Sequence, residues 1–455
     1  MGQNDRRFPD GFLWGAATAS YQIEGAVAED GRLPSIWDTF SHTPGRVLNG
    51  ATGDVACDHY HRVDEDVPLM ADLGLQAYRF SIAWPRVLPT GTGAVNRAGL
   101  DFYSRLVDRL LERGIRPFAT LYHWDLPQAL DDRGGWLNRD SAAWFADYTG
   151  TVVAHLGDRV KNWTTLNEPW CSSVLSYSIG EHAPGHHDVA ESLVAAHHLL
   201  LAHGVAVPVI RESCEDAEVS ITLNLTDIRT PDASPENLAA ARRADNAHNA
   251  MFLEPVLEGR YPADFLDDTA SVTDHGHIHE GDLEVISAPL DNLGVNYYTT
   301  TRVRARLGDP VPSPLPGCDT VEVLPAQPPV TDMGWEVDPT GLRNLLVRIA
   351  EQHRNIPVLI TENGSAWPDV VSDDGAVHDD DRTAYLHAHL DAVAEAVAAG
   401  ADVRGYFAWS LMDNFEWAFG YSKRFGLVHV DYASQKRTIK DSGRAYSEVI
   451  STTHR

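Results

Sequence analysis

Lysine is nearly missing from this chain. Lys161, Lys423, Lys436 and Lys440 are the only four, and the other strongly basic residues are arginine, an imbalance we read as codon usage rather than chemistry. Positive charge as a whole is scarce: 36 Lys and Arg face 65 Asp and Glu, a formal net charge of −29. Such a chain repels phosphate backbones and anionic lipid, so nucleic-acid and membrane-surface partners are set aside. Cysteine is sparse too. Cys57, Cys171, Cys214 and Cys318 lie far apart with no C-x-x-C pair, which argues against a zinc site or a disulfide framework. Reduced thiols in a cytoplasmic protein are the expectation, two bridges the alternative. No run is read as approaching about 18 uncharged apolar residues, so no membrane-spanning helix is expected. Met1-Gly2 lacks the Ser or Thr of a myristoylation motif, since Arg6 stands there. Arg6-Arg7-Phe8 imitates a twin-arginine signal, but Pro9-Asp10 follows at once and no cleavage region does. Internal repeats and interdomain linkers are also missing.

What the chain does have is a regular alternation. Its 455 residues are 43% hydrophobic, enough for a large core. Eight short apolar, β-branched or aromatic runs recur, at 12–20, 77–82, 116–122, 160–166, 219–223, 292–298, 358–361 and 403–410. Several are almost continuously apolar, as strands buried on both faces of a parallel sheet must be. Between them lie segments with helical spacing. In 100–111, Tyr103, Leu106, Val107 and Leu110 fall at i, i+3, i+4 and i+7, and Gly114 follows at the expected C-cap. The segments 142–155, 190–211, 235–257, 340–353 and 381–399 read likewise. Strand–helix alternation implies parallel βαβ units, and eight of them favour a closed α/β (β/α)₈ TIM barrel over a doubly wound sheet. The expectation is one catalytic domain over 1–455 with extended βα loops. The proline-crowded segment 309–329 reads as a long exposed loop after strand six.

Barrel enzymes keep their reactive residues where strands end and βα loops begin. Those positions hold Gln22, Arg79, His123-Trp124, Asn167-Glu168-Pro169, Asn296-Tyr297-Tyr298, Glu362-Asn363-Gly364 and Trp409, followed by Asp413 to Trp417. The set contains acids, amides, one histidine and several indoles. It contains no His/Cys cluster, no Walker-type loop and no G-x-S-x-G elbow. Two carboxyl groups amid amides and indoles suit glycoside cleavage. That reaction needs one carboxyl protonated for the leaving oxygen and one ionised beside an oxocarbenium-like centre. Amides and histidine bind sugar hydroxyls, and indoles stack on the apolar faces of pyranose rings.

Four stretches then carry a resemblance: Phe8 through Gly25, Thr165-Leu166-Asn167-Glu168-Pro169, Ile360-Thr361-Glu362-Asn363-Gly364, and Trp409 through Trp417. Over essentially its whole length the chain resembles glycoside hydrolase family 1, the β-glucosidase family. The resemblance implies a retaining β-glycosidase, most simply a β-glucosidase, needing no cofactor and no metal, with a small-molecule β-glycoside as its partner. It implies Glu168 as general acid/base and Glu362 as nucleophile, about 5–5.5 Å apart as retaining enzymes require. Tyr298 would hydrogen-bond the nucleophile, Arg79 would keep it ionised, and Asn296 would support the site. Asn167 would bind the 2-hydroxyl. Gln22, His123, Trp124, Glu416 and Trp417 would hold the other hydroxyls of the non-reducing sugar, and Trp409 would be its stacking floor. Trp335 would line the aglycone side and Phe425 the site's edge. The Trp409–Ser410 peptide would be cis, as in relatives.

Each assignment has a plainer alternative: a barrel-interior ion pair for Arg79, a core histidine for His123, core aromatics for Trp124 and Trp409, loop packing for Trp335 and Phe425. His275, His277 and His279 read as solvated. Myrosinase-like members of the family carry Gln at the acid/base position, and 6-phosphoglycosidases carry a Ser and a Lys after strand eight. Here Glu168 and the run Glu416-Trp417-Ala418-Phe419 favour an O-glycosidase for a neutral sugar. Rival readings are broad galactosidase or fucosidase activity, transglycosylation, and a non-catalytic sugar-binding barrel, which would lack one Glu. The choice of glycone, the aglycone and the oligomeric state are not legible.

Overall fold

A computed structural model describes residues 7–353 and 356–453. The positions Met1, Gly2 and Arg6, on which the readings of the N-terminus turn, lie outside these. Eight parallel strands form a closed barrel: β1 (Leu13–Ala17), β2 (Ala77–Ser81), β3 (Arg116–Tyr122), β4 (Asn162–Asn167), β5 (Glu218–Asn224), β6 (Leu293–Asn296), β7 (Val358–Asn363) and β8 (Val403–Trp409). The ring closes where β1 pairs with β8, Trp14 opposite Tyr406 and Ala17 opposite Trp409. Each expected run overlaps one barrel strand. Two strands end well short of the run. Run 12–20 is strand only to Ala17, and Gln22 sits in a helical turn, Ser20–Ile23. Run 292–298 ends as strand at Asn296, so Tyr297 and Tyr298 belong to the loop.

The helices follow their apolar spacing. In Arg97–Glu112 the buried side is Leu100, Phe102, Tyr103, Leu106, Val107 and Leu110. Segment 235–257 is interrupted by a π-helical turn at Asn246–Ala250. One premise is corrected: the helix Val189–Ser213 is long and apolar enough to cross a membrane by length and composition. Its histidines concealed this, being neutral yet polar to the eye. Here 78% of its most apolar stretch is buried inside the protein, so it is a core helix by placement. The proline-rich segment is corrected in part. It is mostly exposed, but Val321–Val323 pairs antiparallel with Thr300–Ala305, which pairs with Asp227–Arg229. Val303 and Val321 of this small sheet, with Cys318 just before its last strand, pack on Ala240, Ala244 and Ala247. Three residues among seven prolines are too short a strand for a pattern to register.

The C-terminal helix Asp441–Thr453 locks the seam, where the Tyr446 hydroxyl donates to the carbonyls of Gly15 in β1 and Tyr406 in β8. All four cysteines are buried and none is bridged.

Candidate active site

Irregularities in the barrel ladder precede both glutamates. The pairing register slips between Thr164 and Asn167 on β4 and between Ile360 and Glu362 on β7. Such bulges re-aim the side chains that follow them. Glu168 then takes a left-handed backbone (φ 49°), as do Trp124 (φ 78°) and Trp417 (φ 50°) in neighbouring loops. For bulky L-residues each such conformation costs on the order of 1–3 kcal/mol, and it persists only where surrounding packing over-determines it.

Glu362 is buried, and its two oxygens have separate donors. Arg79 Nη1 reaches Oε1 at 2.6 Å and the Tyr298 hydroxyl reaches Oε2 at 2.6 Å. Burial raises its pKa above the usual carboxylate value, and Arg79, Tyr298 and Asn296 all oppose that rise. Glu168 accepts from Asn296 Nδ2 at 2.6 Å on Oε1 and from the Cys171 thiol at 3.1 Å on Oε2. Its pKa is pushed up to about 8, first by burial and then by the negative charge of Glu362. Asn167 Oδ1 ties the two together, accepting from Arg79 Nη2 at 2.6 Å and from Asn296 Nδ2 at 3.1 Å. One guanidinium thus bonds Glu362 directly and reaches Glu168 only through amides.

These groups open into a cavity of about 340 Å³. Of the residues singled out in the sequence, His123, Trp124, Glu168, Asn296, Tyr298, Trp335, Glu362, Trp409, Glu416, Trp417 and Phe425 line it. Gln22, Arg79 and Asn167 stand behind the wall, fully buried. His123 lies between indoles, stacked at 5.9 Å from Trp409 and 6.0 Å from Trp417. Burial and the nearby Arg79 hold its pKa well below the usual value, so it is neutral. Its Nε2 meets Asn167 Nδ2 at 3.2 Å and its Nδ1 has no partner. Gln22 gives Nε2 to Asn414 Oδ1 and the Phe415 carbonyl, and its Oε1 is buried and unpartnered. Glu416 Oε2 is likewise unpartnered, and burial followed by the charges of Glu362 and Glu168 pushes its pKa to about 8. Buried polar atoms without partners are uncommon, and two of these three belong to residues that line the cavity, His123 and Glu416, which suits a polyhydroxylated ligand. Trp335 and Phe425 flank Tyr298 with centroids 5.4 and 6.0 Å away. The Trp409–Ser410 peptide is cis.

The sequence reading missed part of the wall: Cys171, His182, Asn224, Thr226, His248 and Met333 also line the cavity. Asn224 ends β5, so the strand-end rule reaches it. Cys171 was weighed only for bridges and metals. His182 and His248 sit in loops and helices with no distinguishing pattern. Among the described residues no three His, Cys, Asp or Glu side chains are grouped to hold a metal ion. Of the 275–279 histidines, His279 is exposed as read, while His275 and His277 are half-buried: His275 Nε2 bonds the Leu266 carbonyl, and burial lowers the pKa of His277 to about 4.

A sequence model described as glycosyl hydrolase family 1 matches residues 4–455. A bifunctional β-D-glucosidase/β-D-fucosidase of Bifidobacterium breve is 54% identical, with 97% of this chain and 98% of the relative covered. β-Glucosidase A of Thermotoga maritima is 48% identical, with 98% of both covered. Among solved structures, a psychrophilic β-glucosidase from Micrococcus antarcticus superposes with a TM-score of 0.96 at 50% identity, covering 99% of each chain. The family 1 β-glucosidase from Thermotoga maritima gives a TM-score of 0.94 at 47% identity, covering 98% of each.

Proposed function

This chain belongs to glycosyl hydrolase family 1, and from that premise we propose that it is a retaining β-glucosidase whose 1–455 span acts as one catalytic domain. The observation that carries the mechanism is the unequal treatment of two buried carboxyls. Glu362 is bonded by a guanidinium and a phenol; Glu168 has a thiol and an amide and a pKa of about 8. Glu362 therefore ionises first and is the nucleophile. Glu168 keeps its proton near neutrality and gives it to the leaving oxygen. The C–O bond to the aglycone breaks as Glu362 Oε bonds the anomeric carbon. Esterification removes the charge of Glu362, which lowers the pKa of Glu168. Glu168 then takes a proton from water as the water displaces Glu362, and the starting configuration is restored.

Gln22, His123, Trp124, Asn167, Glu416 and Trp417 bind the hydroxyls of the terminal sugar in this reading, with Trp409 as floor. Trp335 and Phe425 border the aglycone. The substrates are cello-oligosaccharides or aryl and alkyl β-glucosides, which gives the protein a place in cellulose breakdown. The four unbridged thiols support a cytoplasmic location. A second reading, cleavage of β-fucosides in the same site, is supported by the bifunctional relative at 54% identity. Matched aryl β-glucoside and β-fucoside assays separate the two. Retention is tested by proton NMR of the first-formed sugar: the β anomer is expected before mutarotation, and an α anomer would refute the double displacement.

A further inference from the structure

The four cysteines use their thiols differently. Cys57, Cys214 and Cys318 each donate to a backbone carbonyl, those of Asp413, Gly157 and Arg243. Cys171 instead donates to a side chain, Oε2 of Glu168, at 3.1 Å. It opens the π-helical stretch Cys171–Ile179, three residues past Glu168, and its backbone N–H also bonds the Glu168 carbonyl at 3.0 Å. Asn224 Nδ2, from the end of β5, donates to its sulfur at 3.7 Å. The thiol is fixed from two sides, and both Cys171 and Asn224 face the cavity. Asn224 Oδ1 is buried with no partner, so the amide that orients the sulfur has an oxygen left for a ligand.

We propose that Cys171 is a positioning residue for the reaction: its thiol, oriented by Asn224, holds the Glu168 carboxyl in plane against Asn296 and favours the anion that must activate water. The proposal rests on the acid/base role given to Glu168 above. A donor to a carboxylate oxygen favours the ionised form. The thiol can donate throughout the working range, because burial and the carboxyls of Glu168, Glu362 and Glu181 keep its own pKa well above the usual thiol value. The other groups around Glu168 are Glu362 on β7, Arg79 on β2, Asn296 on β6, Tyr298 and Glu416 after β8, with neutral His123, just after β3, in the same cavity wall.

The experiment is the pH dependence of kcat/KM for an alkyl β-glucoside, whose leaving group needs protonation, in the wild type, Cys171→Ala and Cys171→Ser. The basic limb should move up by about half a pH unit in Cys171→Ala, which loses a weak donor, and down in Cys171→Ser, where a hydroxyl donates more strongly. With a dinitrophenyl β-glucoside, where water attack is the slow step, kcat should fall severalfold in Cys171→Ala and recover in Cys171→Ser. A limb that stays put in both variants, or moves the same way in both, overturns the proposal and leaves Cys171 a packing residue. Cys171→Ser is nearly isosteric and keeps the comparison available should Cys171→Ala be poorly folded. Glu168→Gln supplies the control. A basic limb that persists there overturns the reading of Glu168 itself, and this proposal with it.

Discussion

Glu168 and Glu362 carry the same side chain, and in the proposed mechanism their neighbours alone divide the labour. Both were legible because each sits in a motif at a strand end. What the sequence could not supply was the balance of forces. Arg79 was expected to hold Glu362 low, yet burial outweighs it and both carboxyls rise, Glu168 to about 8. The sign of the pH dependence follows. On the proposed roles activity needs Glu168 protonated, so kcat/KM should fall as pH rises through about 8, tenfold per unit. It needs Glu362 ionised, so the acid limb should lie above the ordinary Glu value, because its pKa is raised. A pH profile with a poor leaving group checks both limbs, and a basic limb near pH 6 would contradict the environment described for Glu168. Cys171 and Asn224 escaped the sequence reading because their importance lies in one contact each, with Glu168 and with the thiol, which no spacing encodes.

At the scale of elements, strands and helices were legible because burial on both faces and helical spacing leave periodic traces. The bulges before Asn167 and Glu362, the helical turn carrying Gln22 and the Val321–Val323 strand leave none. They arise from closing the barrel and from neighbours distant in sequence. One close approach is critical. Gly364 follows β7 immediately, and a Cβ there would lie 1.8 Å from the carbonyl oxygen of Trp409, the last residue of β8. That atom is backbone, so it cannot swing aside. Gly364→Ala should therefore push β7 and β8 apart just where Glu362 and Trp409 line the cavity. The expected result is a loss of about 3 kcal/mol in unfolding free energy and at least about 100-fold in kcat/KM, since small misplacements of reacting groups are costly. Denaturant unfolding and steady-state kinetics read the two effects, and a variant matching wild type in both would show that the loops yield more than this packing suggests.

Over the whole molecule, the (β/α)₈ architecture was readable from eight alternations, whereas the closure by Tyr446 joins residues 431 positions apart and was not. The overall charge of −29 has a local counterpart. Among the described residues the cavity wall includes Glu168, Glu181, Glu362 and Glu416 and no Lys or Arg, with Arg79 behind it committed to Glu362 and Asn167. A phosphorylated sugar meets the ionised Glu362 there and finds no counter-charge. Aryl β-glucoside should be cleaved at least about 1,000-fold faster than its 6-phosphate, because a site built for hydroxyls rejects a group it cannot pair; comparable rates would mean that the loop carrying Glu416 has been misread. The central claim is the division of roles between Glu362 and Glu168, and azide tests it most directly. Azide is a small nucleophile that needs no general base. In Glu168→Ala with an activated nitrophenyl β-glucoside, Glu362 still forms the ester, hydrolysis stalls, and azide should attack the ester to give the β-glucosyl azide. In Glu362→Ala, azide should enter the vacated space and displace the aglycone directly, giving the α-glucosyl azide. The measurement is the anomeric configuration of the azide product from each variant by NMR. The account predicts β from Glu168→Ala and α from Glu362→Ala; the two exchanged would reverse the roles, and full activity in either variant would contradict the site.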